Sequence, residues 1–359
     1  MNLLSSISGN LKFSILVFFL LLINSSCSDS EDKPFIEEKE TEEIIEVKNH
    51  FTVAPFDLDK IARISPVGSN NKILPVAHTY WFTCDDKLIY PSGNPCNEEK
   101  MTILSPGDGV IRSISSNEDG NISFTVNPSF QWGFSHITVD SKWKEGDSIK
   151  AGEVVGVMFS ENNIDFGVYN TFVDNSDQFA RKDRYPELLL HSQHPIEQFV
   201  EPLRSQLTQK LPGPMKLMGK VGYDKAQTAA GGWFLQSGPS DKEVFVVEYV
   251  HNQLYLGRLT VNPDTRLVLV GVLFEKDGVS PTFMSVGSDE MQWEEISTAS
   301  GMIQIKLYHP YINTLEPNTN YLTGSLLIQM HDDETLEIEW FPSHDPIDAF
   351  TESSRTYLR

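Results

Sequence analysis

Residues 133–170 read GFSHITVDSKWKEGDSIKAGEVVGVMFSENNIDFGVYN, and this stretch restricts the possible folds more than any other. Its middle is Gly146-Asp147-x-Ile149-x-x-Gly152-x-x-Val155-Gly156. Glycines three residues to either side of Ile149 permit tight backbone turns where a Cβ would clash. The run that follows, over 154–159, is apolar and rich in valine, the composition of a buried strand. Such a turn and strand fold a short sheet back on itself, as in small barrels that carry a ligand or a catalytic group. Function has to come from the residues around it.

Strands are expected on both sides of this stretch. Ser105-Pro106-Gly107-Asp108-Gly109 sets a tight turn before Val110-Ile111, and Asn117-Glu118-Asp119-Gly120-Asn121 is a hairpin turn before the alternating Ile122-Ser123-Phe124-Thr125-Val126. Residues 132–139 and 163–169 read as two further strands, and 74–82 (LPVAHTYWF) leads into a loop. Short strands separated by turn signals predict a small β-barrel or sandwich over 49–211. A closing helix is expected from Pro195, because Ile196, Phe199, Val200, Leu203, Leu207 and Leu211 follow helical spacing. Pro195 suits the first turn, and Pro202 inside the pattern predicts a kink or a late start. Leu211-Pro212-Gly213-Pro214 ends the helix and marks the domain boundary.

Residues 212–359 read as strand after strand. Runs at 231–235, 244–249, 254–259 and 267–272 are β-rich, with Asn262-Pro263-Asp264-Thr265 expected as a turn between the last two. Residues 326–330 and 336–340 flank an acidic turn, HDDE; there Leu336, Ile338 and Trp340 should face in and Glu337 and Glu339 out. The expectation is an antiparallel all-β sandwich or barrel, so the whole chain is mainly β with one connecting helix.

The start of the chain points to export. Residues 13–23 (FSILVFFLLLI) form an apolar run too short to span a bilayer, preceded by Lys12 and followed by small polar residues, which is the pattern of a signal peptide. It ends in Asn24-Ser25-Ser26-Cys27, which resembles a bacterial lipobox with Asn24 in place of the usual leucine. On that resemblance residues 1–27 are a lipoprotein signal peptide and Cys27 is the lipidated residue; the alternative is an ordinary signal peptide cut near Ser26. Residues 28–48 are strongly acidic with no core-forming pattern and should stay solvated. They resemble the acidic tether of surface lipoproteins in Bacteroidetes-type bacteria, a plain acidic linker being the other reading. The location expected is therefore the outer membrane or cell surface. Cys84 and Cys96 flank a loop rich in proline, glycine and asparagine, and in an exported chain they are expected to form a local disulfide. A formal charge of −22 leaves no electrostatic footprint for nucleic acid. It also disfavours an anionic membrane surface, so membrane contact would come through the lipid alone.

One family resemblance covers residues from about 70 to 170. Ser105-Pro106-Gly107-Asp108-Gly109-Val110, a strand with a histidine (Phe134-Ser135-His136-Ile137), the glycine turn, and Ile164-Asp165-Phe166-Gly167-Val168 follow one another in an order similar to the lysostaphin-type zinc metallopeptidases. These have the duplicated hybrid motif fold and cut peptide cross-links in peptidoglycan. The resemblance implies zinc held by a histidine and an aspartate of an early His-x-x-x-Asp and by the second histidine of a late His-x-His. Two further histidines assist catalysis there. In this chain His78 falls at the early histidine and is a candidate zinc ligand, but Phe82 stands four residues on; the nearest carboxylates, Asp85 and Asp86, candidate ligands in place of the early aspartate, come later, beside Cys84. His136 matches the middle-strand histidine and is the candidate base. Asn163-Ile164-Asp165-Phe166 stands where the family has His-Leu-His-Phe, so Asp165 is a candidate zinc ligand while Asn163 cannot titrate. The bland alternatives are a turn residue for His78, a half-buried strand histidine for His136 and a turn-capping carboxylate for Asp165.

Other candidates point less far. Met215-Lys216-Leu217-Met218 resembles a biotinylated lysine hairpin but lies far from the glycine turn. His191 and His194 have a metal-compatible spacing but also suit a solvated loop. Trp233, Phe234, Tyr249 and Tyr255 read as strand core before they read as a carbohydrate platform. The chain is thus expected to be a lipid-anchored envelope protein with a divergent, non-catalytic lysostaphin-type domain that binds peptidoglycan or another envelope ligand. The alternatives are an active zinc endopeptidase and a scaffolding lipoprotein.

Overall fold

The computed structural model describes residues 45–68, 74–83, 100–115, 119–159, 163–211, 220–237, 252–259, 262–270, 282–287, 290–310 and 317–359. The chain divides into 1–43 and 44–359. Two antiparallel sheets make up the second part, so the molecule is mainly β, as its sequence predicts.

Period-two alternation builds the first sheet. In β9 (Asn163–Asn170) Ile164, Phe166 and Val168 are buried in the core, and in β2 (His78–Phe82) Trp81 joins them. Residues between them turn to the opposite face. The remaining strands are β1 (Arg63–Ile64), β3 (Thr102–Leu104), β4 (Gly109–Ile114), β5 (Gly120–Asn127), β6 (Phe130–Val139), β7 (Ser148–Ile149), β8 (Val154–Met158) and β10 (Ser192–Gln193). They run in the order β1-β2-β9-β6-β5-β4-β7, with β10 on β9 and β8 between β3 and β6. The glycine turn behaves as its sequence requires. Gly146 and Gly152 have φ of +89° and +85°, in the left-handed region, and bracket the short β7. The arm that precedes the sheet seals its core: Phe51 packs against Trp132, Phe166 and Phe199 with ring centroids 5.2–5.7 Å apart.

The closing helix is shorter than its spacing predicts. A 3-10 turn at Pro195–Gln198 precedes α2 (Leu203–Thr208), which starts after Pro202; the short α1 (Glu187–Leu190) lies upstream. Proline has no N–H to give and its ring excludes the preceding turn, so the helix starts late. Ile196, Phe199 and Leu207 are still buried, which is why the helical spacing was present without a continuous helix.

The second sheet closes into a barrel of eight strands. These are β11 (Gly231–Leu235), β12 (Gln253–Leu259), β13 (Asn262–Val270), β14 (Thr282–Val286), β15 (Ile303–Pro310), β16 (Pro317–Asp332), β17 (Thr335–Phe341) and β18 (Arg355–Leu358). Closure of β18 on β11 settles the choice between sandwich and barrel. Trp233, Trp293, Leu326, Ile328, Leu336 and Ile338 fill it. Two expectations are corrected. Residues 262–265 lie inside β13 rather than in a turn, with the pairing slipping by a bulge between Arg258 and Leu259. Glu339 does not face solvent: it is 4% exposed, covered by the segment around Thr351, whose backbone N–H and hydroxyl both donate to its carboxylate. The expected strand at 244–249, with Tyr249, lies outside the described residues.

Candidate functional site

The outer face of the first sheet gathers the titratable residues. On one side of β9, β2 places His78 opposite Gly167, Tyr80 opposite Asp165 and Phe82 opposite Asn163. On the other side β6 places Ser135 opposite Asp165 and Gly133 opposite Gly167. Alternate residues share a face, so His78, Tyr80 and Phe82 form one row beside Asn163, Asp165 and Gly167.

Asp165 is the centre of the cluster and is 7% exposed. His78 Nε2 lies 3.3 Å from its Oδ2, and His136 Nε2 lies 3.4 Å from the same oxygen. The other ring nitrogen of His136 is 2.8 Å from Asp119 Oδ1. Among the described residues Asp165 Oδ1 is buried without a hydrogen-bond partner. The ring of His78 sits edge-on to Tyr80 at 4.9 Å, and Tyr80 leads on to Phe82 at 6.1 Å.

His136 reaches the cluster through a bulge. Gly120 pairs with Ile137 and Asn121 with Ser135, leaving His136 as the extra residue of β6, at φ +61°. A bulge re-aims a side chain, and a left-handed histidine persists only where its surroundings hold it. Here both ring nitrogens face carboxylates. Together they raise the His136 pKa to about 9, Asp165 contributing most and Asp119 adding to it against the opposing effect of burial. Asp119 is closer but half exposed, whereas Asp165 is nearly buried, and a charge acts more strongly where water is excluded. The imidazole is therefore protonated at neutral pH and lacks the free lone pair a general base needs.

A catalytic zinc takes three protein ligands at about 2.0–2.2 Å and leaves a position for water. Among the described residues no group of three or more His, Cys, Asp or Glu is disposed to hold a metal ion. The register gives a local reason: Phe82, four residues after His78, stands opposite Asn163, and neither offers a carboxylate or an imidazole. Asp85 and Asp86, the alternative ligands, lie outside the described residues, as do Cys27, Cys84, Cys96 and Lys216.

Of the residues singled out in the sequence, the structure brings together His78, His136 and Asp165. It does not bring His191 and His194 into a common site. His191 is held by the Val173 carbonyl and Glu187. His194 is fully buried, accepts from the Ile196 N–H, and has its pKa pushed down to about 3 by that burial, so it caps a turn. Trp233, Phe234 and Tyr255 are core. Asp119 is the member sequence reasoning missed. It lies in a hairpin turn that explains its presence, and only the strand pairing shows that this turn comes back over His136.

No family model and no curated protein matches the chain. Solved structures similar to part of it include several described as peptidases. Csd3 of Helicobacter pylori is 16% identical over 34% of this chain and 30% of that one, with a TM-score of 0.25. A zinc containing peptidase from Vibrio cholerae is 12% identical over 35% and 37%, TM-score 0.24. The catalytic domain of the antimicrobial peptidase lysostaphin from Staphylococcus simulans is 17% identical over 34% and 82%, TM-score 0.20. The chain spans about a third of the length of the first two. With TM-scores this low, what the site does has to be argued from its own side chains.

Proposed function

We propose that the first sheet is a lysostaphin-type module that binds an extended cell-wall or envelope peptide without cleaving it. The chain is a lipoprotein anchored through Cys27 at the outer membrane or cell surface, with 28–48 as tether. One observation carries the non-catalytic reading: Phe82 stands opposite Asn163 beside Asp165, where a hydrolase needs further ligands or a base. The doubly paired His136 supports it, since an imidazolium between two carboxylates serves as neither base nor ligand. A groove of about 290 Å3 next to Asp165, lined by His78, Ser135 and Tyr169 among others, is the binding surface.

The test is metal content and cleavage of peptidoglycan peptides by the purified chain, compared with His78→Ala and Asp165→Ala. We expect substoichiometric zinc and no cleavage in any of the three, with peptide binding weakened in both variants. Stoichiometric zinc and wild-type cleavage that both substitutions abolish would establish the active endopeptidase instead. That reading draws on the same convergence of His78, His136 and Asp165.

A further inference from the structure

The groove extends away from Asp165 along a row of small residues. Across the strands, Ser113 of β4 stands opposite Ser123 of β5, Ser123 opposite Gly133, Gly133 opposite Gly167, and Gly167 opposite His78. Two adjacent glycines leave the middle of this floor as bare backbone. At the far end stands Arg112. The β4–β5 pairing slips between Ile111 and Ser113, so Arg112 is the extra residue of a bulge, as His136 is in β6. Arg112 thus lines the groove at one end, while at the other end Asp165 lines it with His136 paired to its carboxylate.

Arg112 has chemistry to spare. Its Nη1 donates to Gln131 Oε1, a neutral acceptor, and no carboxylate among the described residues pairs with it. In a chain of formal charge −22, a guanidinium left with an amide at the end of a groove is a selective feature. Its planar fork suits a carboxylate, which takes two of its N–H groups at once. Tyr169, opposite the Gln131 that accepts from Arg112, and the 56%-exposed Leu188 also line the groove. Three inter-strand spacings of about 4.8 Å separate β4 from β9, roughly 14 Å. About four residues of extended chain cover that distance.

We propose that Arg112 is the specificity residue of the groove, anchoring the terminal carboxylate of an extended peptide whose other end reaches Asp165. Leu188 and Tyr169 then favour an apolar residue beside that carboxylate, and the glycine floor takes small residues. This rests on the peptide-binding reading of the groove.

The experiment uses the full chain and a library of tetrapeptides ending in leucine, made once as free acids and once as C-terminal amides. Wild type should bind the acids about 10- to 100-fold more tightly than the amides, the range for a hydrogen bond to a charged group. Arg112→Gln should remove that preference by weakening acid binding far more than amide binding, while Arg112→Lys should retain part of it. Equal binding of acids and amides by wild type, or a preference that survives Arg112→Gln, overturns the role of Arg112 and leaves the groove reading standing. Binding of neither set overturns both.

Discussion

The two sheets treat charge in opposite ways. In the barrel, buried charged groups are absorbed by backbone. Arg266, 3% exposed, donates to the carbonyls of Gly287, Glu290 and Met291, and Arg359, also 3% exposed, donates to those of Lys225, Thr228 and Ala230. Glu339 is matched by Thr351. Each fastens a loop to the barrel. On the face of the first sheet, His78, His136, Asp119 and Asp165 are matched mainly to one another, beside an open groove. Charges that satisfy backbone build structure; charged and titratable groups paired with one another beside an open groove can be shared with something that enters.

The largest test of this contrast is of what lies beneath the groove. Phe166, buried at 0%, alternates with Asp165 and touches Phe51, Trp81 and Phe134. Phe166→Ala should cost about 3–5 kcal/mol of stability in denaturant unfolding and take peptide binding with it. A loss below about 1 kcal/mol would mean that the cluster is not built on a packed floor.

A second test compares two pKa values raised for opposite reasons. Asp224, beside the barrel, accepts from the Gly232 and Ala180 N–H groups and from Tyr185, yet burial pushes its pKa up to about 6. A carboxyl raised in the folded state contributes stability below its unfolded value, near 3.8, and loses it as pH rises through 6. Wild type should therefore lose about 2–3 kcal/mol relative to Asp224→Asn between pH 3.5 and 7. A difference flat in pH would remove the burial argument. At Asp224 the neutral form is favoured by exclusion of water; at His136 the charged form is favoured by its partners.

Local signals in the sequence carried much of this. Glycines at 146 and 152 marked real left-handed turns, and alternation in 163–170 separated Phe166 from Asp165, because both are properties of a few adjacent residues. The departure of Phe82 and Asn163 from the metallopeptidase pattern was also legible; that they stand opposite one another was not. Register is a relation between strands far apart in the chain. For the same reason the bulges at Arg112 and His136 had no local signature, and Asp119 read as a turn residue alone. The spacing from Pro195 does not give one continuous helix, because buried residues keep the spacing while Pro202 breaks the backbone. Alternation set the side of Glu339 correctly, but the segment that covers it arrives from later in the chain.

The smallest effect is the most direct measure of how the cluster is wired. With Asp165 the larger cause of the raised pKa, Asp165→Asn should lower the His136 titration well below 9 by NMR, and Asp119→Asn should lower it less. The reverse ranking would place the controlling charge in the hairpin rather than in the groove. The sign for stability follows from the raised value: the contribution is complete below the ordinary histidine pKa of 6.5 and fades as pH rises through 9. Because the side chain is 47% exposed, solvent screening keeps the contribution below about 1 kcal/mol. Wild type should thus lose a small, reproducible increment relative to His136→Gln between pH 6.5 and 9.5, while peptide binding changes more. Loss of stability without loss of binding over that range would assign His136 to the fold alone and detach it from the groove.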